Sequence, residues 1–245
     1  MAVDTPANAI RVEVDKDALA IAEELASEIS NELGVPIFVW VGQPVQNVAC
    51  TNRDNCTSPM KAGNAIRRGG IPGTARCTMG FHIFVAGDTQ FLTAGHCGFS
   101  FSWYHTGYGF VGNPIKTQWA NNGRDVMTVQ VNNAQGSNQI YGDTPLITMT
   151  GVAWVGMPVC ASAAVSNAIK CGSVQDDYLT WSDGTYTGIQ GADSSMTFVD
   201  GDSGSPLYAS PSSLNTAVGI VDAAGGQFAI VRDALNAWGY SIRNY

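Results

Sequence analysis

Short apolar runs separated by turn residues dominate the chain beyond residue 70, and this cadence limits its possible folds more than any other feature. Candidate strands follow one another there with Gly, Asn, Asp or Ser between them, at 77–85, 90–94, 108–115, 125–131, 145–150, 157–161, 172–181, 185–190, 205–209, 217–222 and 227–231. Many short strands at this spacing are typical of an antiparallel barrel or sandwich. Only 232–238 has a helical pattern, so we expect a mostly β domain with a C-terminal helix.

The N-terminal region follows a different pattern. Residues 10–14 alternate apolar and polar side chains as a half-buried strand does, and 35–41 form a second apolar run. Between them, apolar residues recur at helical spacing up to the stop signal at Gly34. Every Glu lies before residue 33. We therefore predict two regions, a small β-α-β segment with a linker at 1–59 and a β domain at 60–245.

Charge and hydropathy exclude several partners. The formal net charge is −8 and only 13% of residues are charged, without a basic stripe, which excludes a nucleic-acid-binding surface. No apolar run approaches the roughly 20 residues that span a bilayer, so we expect no membrane partner. The first residues lack the basic and apolar segments of a signal peptide. The protein is therefore either cytosolic or a secreted protein whose signal peptide has been removed.

The cysteines favour the secreted alternative. Their number is even, and disulfides persist mainly in oxidising compartments outside the cytosol. Many connectivities are possible, and the simplest joins sequence neighbours as Cys50–Cys56, Cys77–Cys97 and Cys160–Cys171. A zinc site is the rival interpretation, but the spacings fit ordinary zinc-ligand patterns poorly. We therefore expect an extracellular, disulfide-bonded protein without a metal site.

The hexapeptide at 201–206, Gly-Asp-Ser-Gly-Ser-Pro, is the most specific motif in the chain. An exposed nucleophile on a tight turn needs glycine for its backbone conformation, and main-chain N–H groups have to face the oxygen of the reacting carbonyl. The alternative is an ordinary Gly/Ser loop that precedes a strand. The motif makes Ser203 the candidate nucleophile.

Two further motifs supply candidate partners for Ser203. A predicted strand ends close to His96, and a disulfide at the adjacent Cys97 would help to hold the imidazole within hydrogen-bond reach of a nucleophile. Asp125 begins an apolar strand, where a buried carboxylate needs a partner and an imidazole N–H is suitable. The alternatives are a structural histidine and a turn-forming aspartate, with Asp143 as the second candidate carboxylate.

Together these motifs resemble the chymotrypsin-like serine peptidases, and in particular the compact secreted actinobacterial branch of the streptogrisins and α-lytic protease. The resemblance covers roughly 60–245 and rests on the order His, Asp, Ser, on the Thr-Ala-Gly-His-Cys block at 93–97 and on the block at 201–206. It implies two six-stranded antiparallel Greek-key β-barrels, a signal peptide and a zymogen, with 9–41 similar to the last part of a pro-region that assists folding. A looser likeness is to virulence-associated proteases of plant-pathogenic actinobacteria.

The resemblance implies a serine endopeptidase that forms an acyl-enzyme intermediate. Ser203 then attacks the scissile carbonyl, His96 accepts and returns the proton, and Asp125 orients the imidazole. The backbone N–H groups of Gly201 and Ser203 form the oxyanion hole, and the substrate-binding residues are Thr197, Phe198, Asp222, Ala223 and Ala224. No cofactor or metal is implied. The expected partner is a polypeptide substrate, bound by a monomer.

Three departures from the family pattern surround the candidate nucleophile. Ala161 follows Cys160 where that branch usually has an arginine beside the aspartate of the serine motif. Asp202 therefore needs another partner, either the N-terminal amine or a backbone donor. The segment 196–200 has no cysteine next to the specificity pocket, and Ser205 replaces the second glycine after the nucleophile. These changes concern substrate choice and catalytic rate.

A fourth departure lies in the strand expected to pair with substrate. Residues 222–224 are Asp-Ala-Ala where Ser-Trp-Gly or Ser-Gly-Gly is usual, and Asp222 falls close enough to the triad to perturb His96. Thr197, not an aspartate, stands six residues before Ser203, so we expect small or medium apolar P1 residues rather than Lys or Arg. The alternative functions are a catalytically impaired protease-fold protein that binds a host or cell-surface partner, and a carbohydrate-binding β protein.

The N-terminal region leaves two possibilities open. If 1–59 is a pro-piece, cleavage near Pro59 and Met60, or between Arg68 and Gly69, releases the mature enzyme. If the region stays, it braces the β domain permanently. We favour retention, because the chain includes the region.

Overall fold

The computed structural model describes residues 2–4, 9–14, 19–41, 50, 52–56, 59–69, 76–85, 88–131, 136–143, 146–211, 215–222 and 225–242. Contacts divide the chain into two compact units, 1–48 and 49–245, and each unit is described by itself. Neither helix of the described chain is long and apolar enough to cross a membrane.

The first unit is a three-stranded sheet with one helix. The strands are β1 (Ala2–Asp4), β2 (Ala9–Val14) and β3 (Ile37–Val41), in the order β1-β2-β3. Helix α1 (Leu19–Leu33) connects β2 to β3, which are parallel and therefore need a crossover. Within α1 the small residue Ala26 is buried, whereas four of the larger apolar residues that recur at helical spacing are exposed in part: Ile21, Leu25, Ile29 and Leu33.

The first half of the second unit contains three sheets, ordered β10-β9-β5-β6, β11-β12-β8-β7-β21 and β13-β4. Their strands are β4 (Met60–Ala62), β5 (Ala65–Arg68), β6 (Arg76–Thr78), β7 (His82–Val85), β8 (Asp88–Thr93), β9 (Trp103–His105), β10 (Gly109–Gly112), β11 (Pro114–Thr117), β12 (Met127–Gln130), β13 (Gly136–Ile140) and β21 (Ser241–Ile242). Large apolar side chains fill the space between the sheets, among them the fully buried Ile66, Phe91, Trp103 and Met127.

The second half is a closed barrel. Its strands are β14 (Met149–Thr150), β15 (Pro158–Ala163), β16 (Ala168–Trp181), β17 (Ile189–Ser194), β18 (Pro206–Ala209), β19 (Thr216–Val221) and β20 (Gln227–Ile230). The order is β14-β19-β18-β15-β16-β17-β20, and the additional pairing of β19 with β20 closes a ring of six antiparallel strands. Each strand of the closed ring is paired on both sides, so the ring has no unpaired strand edge to which another chain could add.

The two halves share a core and a C-terminal connection. Helix α2 (Val231–Trp238) follows β20 directly, and β21 returns to pair with β7 of the first half. Phe81 and Leu92 from the first half pack in the same buried cluster as Tyr208 and Ile220 from the second. The mostly β architecture confirms the prediction from the strand cadence, and the closed ring of six strands agrees with the barrel that the family resemblance implies.

Three disulfides tie neighbouring segments of the second unit: Cys50–Cys56, Cys77–Cys97 and Cys160–Cys171. The loop that Cys50 and Cys56 close is part of this unit. Its Arg53 is only 4% exposed and donates hydrogen bonds to the carbonyl of Gly63 at 2.8 Å and to Oγ of Ser162 at 2.6 Å. Since Ser162 lies on β15, Arg53 links the loop to the second barrel.

Candidate active site

His96 lies in a single 3-10 turn, Gly95–Cys97, that follows β8. The Cys77–Cys97 disulfide joins this turn to β6. Arg68, at the end of β5, donates from Nε to the carbonyl of Cys97 at 2.5 Å and from Nη2 to the carbonyl of His96 at 3.1 Å. The backbone of the turn is therefore fixed by a covalent bond and by a cation, while the His96 side chain stays 31% exposed.

Asp125 is fully buried just before β12 and accepts two hydrogen bonds from His96. Its Oδ1 accepts a hydrogen bond from the backbone N–H of His96 at 2.7 Å, and its Oδ2 accepts one from ring atom Nδ1. A carboxylate in this position keeps the Nδ1 proton in place, so that Nε2 is left to act as a base. The other candidate carboxylate, Asp143, accepts a hydrogen bond from Oη of Tyr208 at 2.6 Å instead.

Ser203 lies in the turn before β18 and is 9% exposed. Its carbonyl accepts a hydrogen bond from the N–H of Thr78 at 2.7 Å, and the N–H of the next residue, Gly204, donates to the carbonyl of Val221 at 2.7 Å. Val221 directly precedes Asp222, whose carboxylate contacts the imidazole. The turn that carries the serine is therefore fixed beside the histidine.

The hydroxyl of Ser203 donates no hydrogen bond to any residue that the structure describes, and the bond from Oγ to Nε2 of His96 is not formed. Hydrogen bonds between a nucleophile and its base are often long or poorly aligned without substrate and tighten in the complex. The predicted histidine and aspartate are thus directly bonded, whereas the serine lies in the adjoining turn.

Two glycines allow the serine turn to form. Gly201 and Gly204 both have a φ of 92°, in the left-handed region that favours glycine. A Cβ at Gly204 would lie 2.2 Å from the carbonyl oxygen of Thr78. Among the described residues, none accepts a hydrogen bond from the N–H of Gly201 or of Ser203. Both donors are available to a ligand, as an oxyanion hole requires.

Asp202 is fully buried and accepts hydrogen bonds from a neighbouring turn. Its Oδ1 accepts from the N–H groups of Val165 at 3.0 Å and Ser166 at 2.8 Å. Its Oδ2 accepts from Oγ of Ser166 and from the N–H of Val199 at 3.2 Å, and Nζ of Lys170 lies 3.5 Å away. Backbone donors therefore provide most of the support for this carboxylate, and Lys170 provides a positive charge.

Asp222 places a second carboxylate on the same imidazole. It follows β19, is 2% exposed, and its Oδ1 lies 3.2 Å from Nδ1 of His96. Burial lowers the pKa of His96, but hydrogen bonds and charge from Asp125 and Asp222 outweigh burial and raise that pKa to about 10. Burial and the neighbouring Asp125 raise the pKa of Asp222 to about 8. Burial also favours the neutral form of Asp125, but its hydrogen bonds with Asp222 and His96 lower its pKa.

The same three residues are the candidate metal ligands of the described chain. One ligand atom each from His96, Asp125 and Asp222 lies within 4.8 Å of the others. Direct contacts between the carboxylates and Nδ1–H account for this proximity.

Thr197 and Phe198, two of the remaining predicted substrate-binding residues, lie beside the serine turn. Thr197 is exposed, and its carbonyl accepts a hydrogen bond from Nζ of Lys170 at 2.7 Å. Phe198 is 5% exposed, packs in the core of the second barrel and has the same ammonium 5.1 Å from its ring centroid. Ala223 and Ala224 lie outside the described residues. Sequence reasoning missed Lys170, which belongs to none of the motifs.

Comparison with known proteins identifies relatives in two curated sequences. No protein-family model matches the chain. Streptogrisin-A of Streptomyces griseus is 29% identical over 199 residues, which are 76% of this chain and 62% of the relative. Streptogrisin-D of the same organism is 31% identical over 182 residues, which are 69% of this chain and 45% of the relative. The chain thus spans roughly half of the length of the curated relatives that it matches.

Solved structures share the fold. The crystal structure of a Nocardiopsis protease superimposes with a TM-score of 0.62 at 24% identity and covers 75% of this chain and 98% of its own. At this identity the likeness shows the double-barrel fold alone.

Proposed function

We propose, from the similarity to the streptogrisins and from the double-barrel fold, that the chain is a secreted serine endopeptidase of the actinobacterial branch of the chymotrypsin-like serine proteases. It hydrolyses peptide bonds of a polypeptide substrate through an acyl-enzyme intermediate. The observation that carries the proposal is the pair of hydrogen bonds from His96 to Asp125, beside the turn that bears Ser203. The three disulfides support a site of action outside the cell.

In the proposed reaction, Oγ of Ser203 attacks the carbonyl carbon of the scissile bond and gives its proton to Nε2 of His96. Asp125 keeps the imidazole oriented and stabilises the imidazolium that forms. The imidazolium then protonates the leaving amine, and the peptide bond breaks to leave an ester on Ser203. A water molecule then gives a proton to the same imidazole and attacks that ester. The imidazolium returns the proton to Oγ of Ser203, and the acyl group leaves as a carboxylic acid.

The oxyanion that forms in each step is stabilised by the N–H groups of Gly201 and Ser203. The positive φ of Gly201 and the absence of any described acceptor for either N–H support this role. One such donor contributes a factor of about 10²–10³ to the rate. The buried support of Asp202 keeps both donors in one rigid turn.

We also propose that the Cys50–Cys56 loop belongs to the mature enzyme. Arg53 is buried against Gly63 and Ser162, so removal of the loop would leave these partners without their donor. The contact boundary between residues 48 and 49 supports a processing site, if one is used, before Cys50 rather than at residue 59. Cleavage next to Arg68 is disfavoured, since Arg68 pairs with a strand of the first barrel. N-terminal sequencing of the secreted protein tests this boundary.

The proposed substrates have a small or medium apolar P1 residue. Thr197 stands at the position where an aspartate would favour Lys or Arg, and its carbonyl is engaged by Lys170. No carboxylate is placed there to bind a basic side chain.

A peptide-library digest tests the proposed function. The wild-type chain is compared with Ser203→Ala, which lacks the nucleophile, and with Ser205→Ala, which alters a neighbouring serine whose hydroxyl bonds the carbonyl of Asp202 at 2.5 Å. We expect cleavage by the wild type and by Ser205→Ala, and none above background by Ser203→Ala. Equal cleavage by Ser203→Ala would contradict the assignment. No cleavage by the wild type at any pH would favour the protease-fold binding protein.

A further inference from the structure

We infer that Asp222 is a positioning residue that sets the pH at which His96 becomes free to accept a proton, an inference that rests on the proposed function. Two buried carboxylates meet at one ring nitrogen: Asp125 accepts the Nδ1 hydrogen bond, and Oδ1 of Asp222 lies 3.2 Å from the same atom. The family pattern has an uncharged serine where this chain has Asp222, so the second acid is a property of this chain.

Two ionised carboxylates at this site would carry more negative charge than the single imidazolium beside them can balance. Asp125 is fully buried and Asp222 is 2% exposed, so both are largely removed from water. Two carboxylates this close cannot both ionise without a cation between them, and either one stays protonated or a neighbouring base takes up the proton. His96 is the cation in contact with both. The proton can therefore reside on Asp222 or on His96, and a second proton on His96, at Nε2, blocks it as a base.

The hydrogen bonding of Asp222 supports this competition. Its Oδ2 is buried and accepts no hydrogen bond from any described residue, so an ionised Asp222 has few donors other than Nδ1–H of His96. An ionised carboxylate with so few donors is costly. It is stabilised chiefly by keeping His96 in the imidazolium form.

The charged groups around this pair come from several elements. His96 lies on the 3-10 turn after β8 and Asp125 just before β12, while Arg68 on β5 donates to the carbonyls of His96 and Cys97. Farther out, the carboxylate of Asp183 accepts a hydrogen bond from Nε1 of Trp119 at 2.6 Å and repels the charge of Asp125. Gln227 on β20, whose carbonyl accepts the N–H of Asp222, is uncharged.

The direction of the pKa shifts agrees with the geometry. The pKa of Asp222 is raised to about 8 and that of His96 to about 10, so both groups retain protons at neutral pH. Removing the ionisable group at position 222 leaves His96 with Asp125 alone, the arrangement of an ordinary triad. The imidazolium then loses its proton at lower pH.

The experiment titrates His96 in matched variants. Asp222→Asn keeps the shape of the side chain, and Asp222→Ser introduces the residue usual in the family. Asp177→Asn is the control, because it removes the same charge from an exposed residue of β16. The imidazole of His96 is followed by NMR in a Ser203→Ala background, and the pH dependence of kcat/KM is measured with Ser203 intact.

We expect the His96 titration and the acidic limb of kcat/KM to move to lower pH by about 1–3 units in both position-222 variants, and to stay in place in Asp177→Asn. A structural role alone would change stability without moving the titration. An unchanged midpoint in both folded variants would overturn the inference. If the His96 titration midpoint moves, but neither the wild type nor any variant with Ser203 intact hydrolyses peptides at any pH, the proposed function fails while the coupling of Asp222 to His96 stands.

Discussion

Replacing Asp202 by asparagine tests how this chain supports its serine turn without the usual arginine. The two oxygens of Asp202 accept four hydrogen bonds from Val165, Ser166 and Val199. A fifth, at 3.5 Å, comes from the ammonium of Lys170. An asparagine retains one acceptor oxygen. In the orientation that costs less free energy, this oxygen still accepts hydrogen bonds from the N–H groups of Val165 and Ser166. The new amide NH₂ then faces the N–H of Val199 and the ammonium of Lys170.

The cost follows from the donors that lose their acceptor. One buried backbone N–H without an acceptor costs about 1–3 kcal/mol. The lost pair with Lys170 adds at most about 1 kcal/mol, because that side chain is 24% exposed and reaches water. The hydroxyl of Ser166 can rotate to accept from the amide. The sum is about 1–4 kcal/mol, or a fall in Tm of about 2–16 °C for a unit of this size.

The assay is urea unfolding in a Ser203→Ala background, which prevents self-digestion. Lys170→Met is the matched control, since it removes the positive charge but none of the backbone donors, and we expect it to cost under about 1 kcal/mol. Asp202→Asn within about 0.5 kcal/mol of its parent, or Lys170→Met as damaging as Asp202→Asn, would refute the assignment of the support to backbone donors.

Three further predictions concern the triad, the disulfide and pH. Asp125→Asn should lower kcat by about 10⁴ with the fold intact, because the imidazole loses the carboxylate that fixes its tautomer. Steady-state kinetics on a cleaved peptide measures this loss, and a loss below tenfold would argue against the role of Asp125. Replacing Cys77 and Cys97 by alanine opens a loop of sequence separation 20 and should lower the free energy of unfolding by about 3 kcal/mol, measured in urea. An unchanged midpoint would mean that the disulfide does not constrain the unfolded chain. The folded pKa of His96, about 10, exceeds its ordinary 6.5, so the stability from its imidazolium is complete below the ordinary value and is lost as the pH rises towards 10. Urea midpoints across this interval should fall more steeply for the wild type than for Asp222→Asn, and parallel curves would contradict the shift.

Elements with a strong local pattern were predictable from the sequence. The helix expected at 232–238 is α2, Val231–Trp238, and the strand expected at 205–209 is β18, Pro206–Ala209. Apolar spacing and turn residues determine both, and these signals lie within the segment itself. The pairing of His96 with Asp125 was expected from the family resemblance, because neither local motif specifies its partner.

Elements that depend on distant partners were not predictable. β13, Gly136–Ile140, is mostly polar and forms a parallel pair with β4, which lies far away in sequence. The support of Asp202 by Ser166 and Lys170 depends on how the β15–β16 turn approaches the serine turn, and no local pattern specifies that approach. In α1 the helical spacing was right, but the small residue Ala26 is buried while larger apolar residues are exposed.

Covalent labelling of the chain with phenylmethanesulfonyl fluoride tests the central claim most directly, because sulfonylation requires a serine activated by a neighbouring base. The measurement is the intact mass, followed by peptide mapping of the modified residue. We predict one sulfonyl group per chain, on Ser203, and no labelling of Ser203→Ala or His96→Ala. A folded wild-type chain that stays unlabelled, or that is labelled equally after the loss of His96, would contradict the claim that these side chains act together.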